Sequence, residues 1–393
     1  MKAIRVICRY IVGMVFVLSA LTKAIDPVGV SLKVKEYLQA YAGADFGEFT
    51  LYLAVALCAI EFVCGAAILT CVKIRFFSLV ALLLTAVFTV LTFCSAQFNL
   101  VADCGCFGDV IKLSAWGTFY KNVVLIILCI IVYCARKQYI CYLGSALQWL
   151  LVIIFTALII ALCSHSYRNL PPVDYTDFAP GTDLIEASQG SAIKYKTECV
   201  YEKNGVREVF ELENLPDSTW TFVETISTVL KGDERAASKT KFILRDADNN
   251  PVTEEVLEKK GVDIAFFSIY SPELPNGYLD KLKKEIDVNQ ICEAMVMREV
   301  PDSTGKDFDI ICSAEDMEWG DIYIVSALTP EQTTKLLAPI ASSIVEWENK
   351  SDNFHILYSD FKTLITLNRS NGGVTFVRDG KIERKLPASK IDL

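Results

Sequence analysis

Residues 103–109 read D-C-G-C-F-G-D and lie between two apolar runs, each of which is a candidate membrane span. Cys104 and Cys106 are separated only by Gly105. Residues i and i+2 can bring their Cα atoms within the roughly 4.4 to 6.8 Å that a disulfide requires, and glycine accepts the positive φ of a tight ring. Strained or exposed disulfides are the labile kind that exchange electrons. The segment therefore predicts a redox pair.

Two other interpretations of this segment stay open. A metal site would need further cysteine or histidine ligands, and the only histidines, His165 and His355, are distant in sequence, so we expect no metal. Alternatively, the segment is a surface turn with two inert thiols. In the redox interpretation, the supporting residues around the pair are Asp103, Gly105, Phe107, Gly108 and Asp109.

The charge distribution divides the chain into two parts. Residues 1–163 contain 12 basic and 7 acidic residues, whereas residues 164–393 contain 26 and 40. The first part has the composition of a membrane protein and the second that of a soluble acidic domain. No clustered basic surface is present to bind phosphates, so we expect no nucleic-acid partner.

Most of the 14 cysteines lie in or beside apolar runs, where they are most simply buried small hydrophobes. This set comprises Cys8, Cys58, Cys64, Cys71, Cys94, Cys129, Cys134, Cys141 and Cys163. The spacings of the remaining five match no disulfide-rich module.

Five apolar runs are predicted as membrane helices, since about 20 apolar residues span about 30 Å of hydrocarbon. They cover about 4–22, 50–72, 76–97, 118–135 and 142–163. The first run follows basic residues and could instead be a cleaved signal peptide, although no clean A-x-A site follows it. Between the first two runs, residues 23–50 are expected to hold a short amphipathic helix.

The basic residues of the apolar part predict its orientation. With five crossings they fall on one side, which the positive-inside rule makes cytoplasmic. These residues are Lys2, Arg5, Arg9, Lys73, Arg75, Arg136 and Lys137. The loop that carries Cys104 and everything after Ser164 then face the outer, oxidising side, where disulfides persist.

Glu61 lies inside the second apolar run, with Gly65 one turn further on the same face. A carboxylate in a membrane is costly and by default functional. Lys23 and Lys121, near the outer helix ends, are its plausible partners. Alternatively, Glu61 is neutral and joins helices by hydrogen bonds.

The soluble part is predicted as an α/β layer with a central mixed sheet. Asn204-Gly205 between alternating strands indicates a tight hairpin. From about residue 240 strands alternate with helices, starting with K-F-I-L-R at 241–245 and a helix near 253–260. The predicted divisions are a bundle at 1–140, a fifth helix at 141–165, a linker at 166–190, a hairpin subdomain at 191–239 and the α/β domain at 240–393.

Residues 1–140 resemble the MauE/DoxX-like family of small membrane proteins, whose MauE members are associated with methylamine utilisation. The pieces that carry the resemblance are F-V-L-S-A-L-T-K-A-I-D-P at 16–27, Glu61 with Gly65, the D-C-G-C-F-G-D segment, and T-F-Y-K-N at 118–122, which contains Lys121 and Asn122. The resemblance implies a four-helix module that supplies or relays redox equivalents for disulfide formation in exported proteins, with Cys104 and Cys106 as the redox pair. For Glu61 and Lys121 it implies only a role in the core.

The end of the chain resembles a thioredoxin fold. S-N-G-G-V-T-F-V-R-D-G-K-I, at 370–382, is similar to the closing hairpin of thioredoxins. Residues 164–393 contain no C-x-x-C, and Gly372 stands where the loop proline would be. Thiol exchange by that motif is therefore excluded, and the resemblance implies a domain for docking or scaffolding.

The sequence thus predicts an α-helical membrane bundle of four helices plus a fifth anchoring helix, followed by a soluble thioredoxin-like α/β domain. The expected location is a bacterial inner membrane, with a cytoplasmic N-terminus and a periplasmic C-terminal domain. The expected activity is thiol-disulfide relay to an exported protein or peptide; the alternative is a non-enzymatic membrane anchor or assembly factor. No cofactor is evident, and a quinone would be possible but has no support in the sequence.

Overall fold

The computed structural model describes residues 2–43, 46–47, 49–98, 114–189, 195–203, 206–211, 221–229, 240–259, 263–284, 321–342, 344 and 354–390. The predicted redox segment, residues 103–109, lies outside these ranges, as do the Asn204-Gly205 turn and the residues that follow Lys284 up to 320.

Within the described residues, five helices are long and apolar enough to cross a membrane. A sixth, shorter helix lies between the first two of them. In chain order the six are α1 (Lys2–Ile25), α2 (Pro27–Ala42), α3 (Phe49–Thr70), α4 (Ile74–Phe98), α5 (Ala115–Ala135) and α6 (Ser145–Asn169). The five-span prediction is confirmed, and α2 is the short helix expected between residues 23 and 50.

The membrane helices pack as antiparallel neighbours. An added Cβ at Gly65 would lie 2.8 Å from the Gly13 carbonyl oxygen, so α1 and α3 approach each other closely. At one end of this contact, the buried Arg9 donates a hydrogen bond to the carbonyl oxygen of Leu69, 3.1 Å away. On the other side of the bundle, Thr85 of α4 contacts Cys129 of α5.

This packing gives the bundle two distinct ends. We call one the α2 end: α1, α4 and α6 end there, and α3 and α5 begin there. The opposite end holds the basic residues that predict the cytoplasmic side, including Arg5, whose carbonyl accepts a hydrogen bond from Tyr139. Phe98, the last residue of α4, and Ala115, the first residue of α5, therefore both lie at the α2 end. The direction in which the bundle crosses the membrane stays a prediction.

Two β-sheets follow the bundle. The first has the order β2-β1-β3 and is wholly antiparallel, and its β1-β2 pair is the hairpin that Asn204-Gly205 predicts. The second has the order β6-β5-β4-β7-β8. The strands are β1 (Tyr195–Lys203), β2 (Val206–Glu211), β3 (Thr221–Val229), β4 (Asp263–Ile269), β5 (Asp321–Ser326), β6 (Phe354–Tyr358), β7 (Gly373–Arg378) and β8 (Lys381–Leu386).

The second sheet is mixed, as predicted. β4, β5 and β6 are parallel, whereas β7 runs antiparallel to β4 and forms a hairpin with β8. Side chains of β4 alternate between two cores: Phe267 packs into one and Phe266 into the other. Both are fully buried, so both faces of β4 are covered.

Short helices cover this sheet. They are α7 (Leu184–Gln189), α8 (Thr253–Leu257), α9 (Pro330–Leu337) and α10 (Phe361–Leu367). Asp360 caps α10 by accepting a hydrogen bond from the backbone N–H of Thr363 at 2.9 Å. The parallel strands with an antiparallel hairpin agree with the α/β class, while the thioredoxin-like assignment stays a prediction.

Two local expectations are wrong. Residues 241–244 form no regular strand, and only Arg245 pairs with β6, exchanging two 2.8 Å hydrogen bonds with Tyr358. The chain turns back here, so the Leu244 N–H bonds instead to the Thr253 hydroxyl.

The expected linker, residues 166–190, is also largely packed. α6 continues to Asn169, and Phe178 and Leu184 are fully buried in a core of the second sheet. Asp174 forms an ion pair with Lys385 of β8 at 2.6 Å. The segment therefore fastens the end of α6 to the α/β domain.

Candidate functional site

A buried ion pair joins α1 to α3 inside the membrane bundle. The Lys23 ammonium lies 2.6 and 2.7 Å from the two carboxylate oxygens of Glu61. Only 5% of the Lys23 side chain and 4% of the Glu61 side chain are exposed. Ser19, one turn before Lys23, donates a hydrogen bond to Glu61 Oε2 at 3.1 Å. The carboxylate therefore has three hydrogen-bond contacts in a region that is almost closed to solvent.

Helix geometry explains how the two charges meet. Lys23 lies in the last turn of α1, and Glu61 lies 12 residues into α3, which is about 18 Å along the helix. Because Gly13 and Gly65 have no side chains, α1 and α3 can approach each other closely at this point. The long lysine stem then lies along apolar surface and brings its ammonium down to the carboxylate. The Phe88 ring, 5.7 Å from the Lys23 nitrogen, adds a cation-π contact.

A small cavity adjoins the ion pair. Its volume is about 30 Å³, which is room for about one water molecule. The polar residues that line it come from four helices: Ser19, Lys23, Glu61, Thr85, Lys121 and Asn122. Asn122 is buried and donates a hydrogen bond to the Thr92 hydroxyl of α4 at 3.2 Å. The cavity thus collects ionisable and polar groups that are far apart in sequence.

The Lys23–Glu61 pair acts through electrostatics. A buried ion pair is costly to form, and its attraction offsets that cost only with good geometry and further hydrogen bonds, which Lys23 and Glu61 have. Removing either charge would leave the other uncompensated in a low-dielectric environment. The pair therefore holds two opposite charges in fixed positions between α1 and α3.

The predicted site residues fall into two groups. Glu61, Lys23, Lys121 and Asn122 meet at the cavity, and Lys23 contacts Glu61 directly, as its position suggested. The other predicted residues are Asp103, Cys104, Gly105, Cys106, Phe107, Gly108 and Asp109, all of which lie outside the described residues. Their roles stay predictions.

Sequence reasoning missed several polar partners at the cavity. Ser19, Thr85 and Thr92 have no distinctive pattern of their own, although Ser19 precedes Lys23 by four residues and so shares its helix face. Among the described residues, no group of three or more His, Cys, Asp or Glu side chains could hold a metal ion. The C-G-C segment lies outside the described residues, so the expectation that it binds no metal stays a prediction.

The fold and the cavity define a class of protein: a membrane helix bundle with a buried ion pair, joined to an α/β domain. Residues 1–135 match the family model described as methylamine utilisation protein MauE, so the N-terminal membrane segment is similar to MauE. Residues 195–232, which contain the three-stranded sheet, match a domain of unknown function, DUF8463. No curated protein and no solved structure matches the chain.

Proposed function

We propose that this protein relays thiol-disulfide redox equivalents through Cys104 and Cys106 to an exported protein or peptide. The observation that carries the proposal is the position of the polar cavity in the half of the bundle nearer the α2 end. The helices that contribute Thr85 and Asn122 to this cavity are α4 and α5, the two helices that the C-G-C segment connects in the chain.

The cavity lies in the half of the bundle nearer the α2 end. Of its lining residues, Phe88 lies ten residues before the end of α4, and Asn122 lies seven residues after the start of α5. At 1.5 Å per residue, they are about 15 and 10 Å from those two helix ends. A redox pair on this connection would therefore operate above a charged, partly polar pocket.

The charges of such a pocket can influence thiol-disulfide exchange. In the exchange, a partner thiolate attacks the Cys104–Cys106 disulfide, a mixed disulfide forms, and the second partner thiol displaces it. The partner leaves with a disulfide, and Cys104 and Cys106 leave as a dithiol with two added electrons and two added protons. Charges near the pair influence how much thiolate is present, and thiolate is the attacking species.

Acid-quenched alkylation in intact cells tests the proposal. Free thiols are trapped, and the peptide that contains Cys104 and Cys106 is then quantified by mass spectrometry with and without added oxidant or reductant. We expect a mixture of dithiol and disulfide that shifts with the added reagent, and trapping of a mixed disulfide with a partner in Cys106→Ser or Cys104→Ser. The matched control is Cys134→Ser, which alters an exposed cysteine near the opposite end of the bundle.

The opposite result is equally definite. Thiols that stay fully reduced under oxidant, in a loop that reacts with an impermeant outer-side reagent, would overturn the redox proposal. The same reagent tests the proposed orientation, with an outer C-terminal domain and a cytoplasmic N-terminus.

A second function is favoured by a separate observation. The α/β domain contacts the bundle through a buried ion pair between Asp26 and Arg369, and residues 164–393 contain no C-x-x-C. A docked domain without its own thiol pair suits a non-enzymatic membrane anchor or assembly factor that holds a partner protein. Full function of the Cys104→Ser, Cys106→Ser double variant in cells would favour this alternative.

A further inference from the structure

Positive charge is concentrated at the end of the bundle opposite the α2 end, which we call the basic end. The segments that form it are residues 2–14, 66–78 and 130–149, and they contain no Asp or Glu. They contain seven Lys or Arg residues, the same ones that predict the orientation of the bundle. The α2 end differs, because α2 itself carries charges of both signs.

Hydrogen bonds join the segments of the basic end. The Lys73 backbone N–H donates to Gln148 Oε1 at 3.0 Å, and the Lys73 ammonium donates to the Ser145 hydroxyl at 2.6 Å. These bonds fasten the turn between α3 and α4 to the start of α6. Arg5 of α1 donates a hydrogen bond to Gln138, which lies between α5 and α6. The cations of this end are therefore held close together by contacts between different helices.

The basic side chains differ in how far they reach the surface. Arg9 is buried, and a carbonyl oxygen at the end of α3 accepts its hydrogen bond. Arg75 and Lys137 are exposed, and Lys73 is half-buried. The Lys73 and Arg136 side chains donate to neutral oxygens, a hydroxyl and a backbone carbonyl. No carboxylate of the surrounding segments balances the positive charge of the basic end.

Apolar and aromatic side chains are exposed beside these cations. Between α5 and α6, Ile140 is 68% exposed and Tyr142 is 94% exposed, and in the first turns of α6 Trp149 is 50% exposed. The Lys73 ammonium lies 5.3 Å from the centre of the Trp149 ring. Aromatic rings beside cations are typical of the membrane interface, where the ring lies at headgroup level and the cation meets the phosphate. A dissolved anion would gain nothing from the exposed apolar groups.

We propose that the basic end binds anionic phospholipid headgroups, with Lys73 and Arg75 at a preferred headgroup site beside Trp149. The two cations are two residues apart where α4 begins. An ammonium has three N–H donors, so its bond to Ser145 leaves Lys73 with capacity for a phosphate oxygen. Exposed Phe76 of α4 and Leu150 of α6 follow directly and provide apolar surface for the acyl chains of the same lipid. This inference does not depend on the redox proposal.

Tryptophan quenching by brominated lipids tests the proposal, because bromine quenches the tryptophans that it contacts. The full-length protein is reconstituted into vesicles of phosphatidylcholine and phosphatidylglycerol in equal amounts, with bromine on the acyl chains of one lipid at a time. One variant keeps only Trp149, at the basic end, and its matched control keeps only Trp116, at the α2 end. In each, the other four tryptophans are replaced by phenylalanine.

We expect phosphatidylglycerol to be preferred at Trp149 by at least about fivefold, since each basic residue near an anionic surface contributes about that factor. At Trp116 the two lipids should quench almost equally. Lys73→Gln combined with Arg75→Gln should bring the ratio at Trp149 close to one. Glutamine keeps an N–H donor for Ser145, so this variant retains the contact between the α3–α4 turn and α6.

The control for charge removal is Lys33→Gln combined with Lys35→Gln on α2, which should leave the ratio at Trp149 unchanged. A ratio that added inorganic phosphate abolishes at constant ionic strength would assign the site to the dissolved ion and overturn the lipid proposal. Equal ratios at Trp149 and Trp116, or an unchanged ratio in the Lys73, Arg75 variant, would also overturn it.

Discussion

Asp26 and Arg369, 343 positions apart in the chain, form a buried ion pair between the membrane bundle and the α/β domain. Arg369 Nη2 lies 2.7 Å and Nε 3.0 Å from the same carboxylate oxygen, Asp26 Oδ2. The other oxygen caps α2 by accepting a hydrogen bond from the Gly29 N–H at 2.9 Å. One carboxylate thus both starts α2 and fastens the α/β domain to the α2 end.

We expect Arg369→Gln to loosen this docking, because it leaves Asp26 partly buried without its cation. Removing one member of a buried pair costs about 3 kcal/mol. Asp26→Asn should give a similar loss, since asparagine still caps α2, and Asp26→Ala a larger one because the cap is lost as well. The measurement is the thermal midpoint in detergent, together with the rate of proteolysis at residues 170–183.

A control for this prediction lies within the α/β domain. Arg378 pairs with Asp263 on the surface, where solvent screens the charges, so Arg378→Gln should leave both readings close to wild type. If Arg369→Gln and Arg378→Gln behave alike, Asp26 does not hold the domain in place.

The Lys23–Glu61 pair should show strong coupling in a double-mutant cycle. Lys23→Met and Glu61→Gln each leave an uncompensated group in the bundle, at a cost of about 3–5 kcal/mol. The double variant should cost clearly less than the two singles together, because neither charge is then left behind. Reversible unfolding in mixed micelles measures each value. The control is Lys33→Met, at the more exposed Lys33–Glu36 pair, which should cost at most about 0.5 kcal/mol. Additive losses of stability in the Lys23 and Glu61 variants would contradict the prediction.

Gly372 has a packing requirement that separates it from another glycine of similar backbone conformation. Its φ is +81°, and an added Cβ would lie 2.6 Å from the ring of the buried Tyr278. Gly277 has a φ of +72°, but an added Cβ there would meet nothing within 4 Å.

We therefore expect Gly277→Ala to cost about 1–2 kcal/mol from backbone strain alone. Gly372→Ala should cost a further 1–3 kcal/mol or so from overpacking. Gly372→Pro, which restores the loop proline of thioredoxins, should be worse still, since proline cannot adopt a positive φ. Thermal unfolding of the full-length variants measures the difference. Equal losses of stability in Gly277→Ala and Gly372→Ala would show that the Tyr278 ring moves aside without cost and would contradict the prediction.

The Asp174–Lys385 pair predicts an acid sensitivity. Burial opposes ionisation of Asp174, but the charge and hydrogen bond of Lys385, with the hydrogen bonds from Thr176, outweigh it, so the pKa of Asp174 is lowered. For the Lys385 ammonium, burial outweighs the attraction of Asp174 and lowers its pKa.

A carboxyl group with a lowered pKa stabilises the folded state above its unfolded pKa of about 3.9, and this contribution is lost as the pH falls from there through the folded value. Wild-type stability should therefore fall below about pH 4, and Asp174→Asn should weaken that part of the pH dependence. Unfolding midpoints measured from pH 3 to 7 test this. An unchanged acid slope in the variant would mean that other carboxyl groups cause it.

The periodicity of the sequence predicted the elements well where one physical constraint acts on a whole segment. Hydrocarbon thickness requires about 20 apolar residues per span, and the five predicted runs are the five membrane helices. Glu61 was recognisable for the same reason, since a carboxylate within such a run is conspicuous. The strands β4 and β5 are continuous apolar runs because both of their faces are covered.

Predictions were wrong where a segment forms local hydrogen bonds in place of strand pairing, or where a segment with the composition of a linker is buried. K-F-I-L-R has the pattern of a strand, yet Val252 and Thr253 take the hydrogen bonds of Leu244 that a neighbouring strand would have made. The proline-rich stretch after α6 has the composition of a linker, but its Phe178 fills a core.

The sequence by itself determined the membrane spans, the acidic α/β domain and the presence of a C-G-C segment, because hydropathy and pattern act on each segment separately. Only the tertiary structure decided which residues meet: Lys23 with Glu61, and Asp26 with Arg369. Such contacts depend on how each helix is rotated and how closely its neighbours approach. Those quantities are set by packing between elements, here by Gly13 against Gly65 and Phe62 against Phe155, and a linear pattern does not record them.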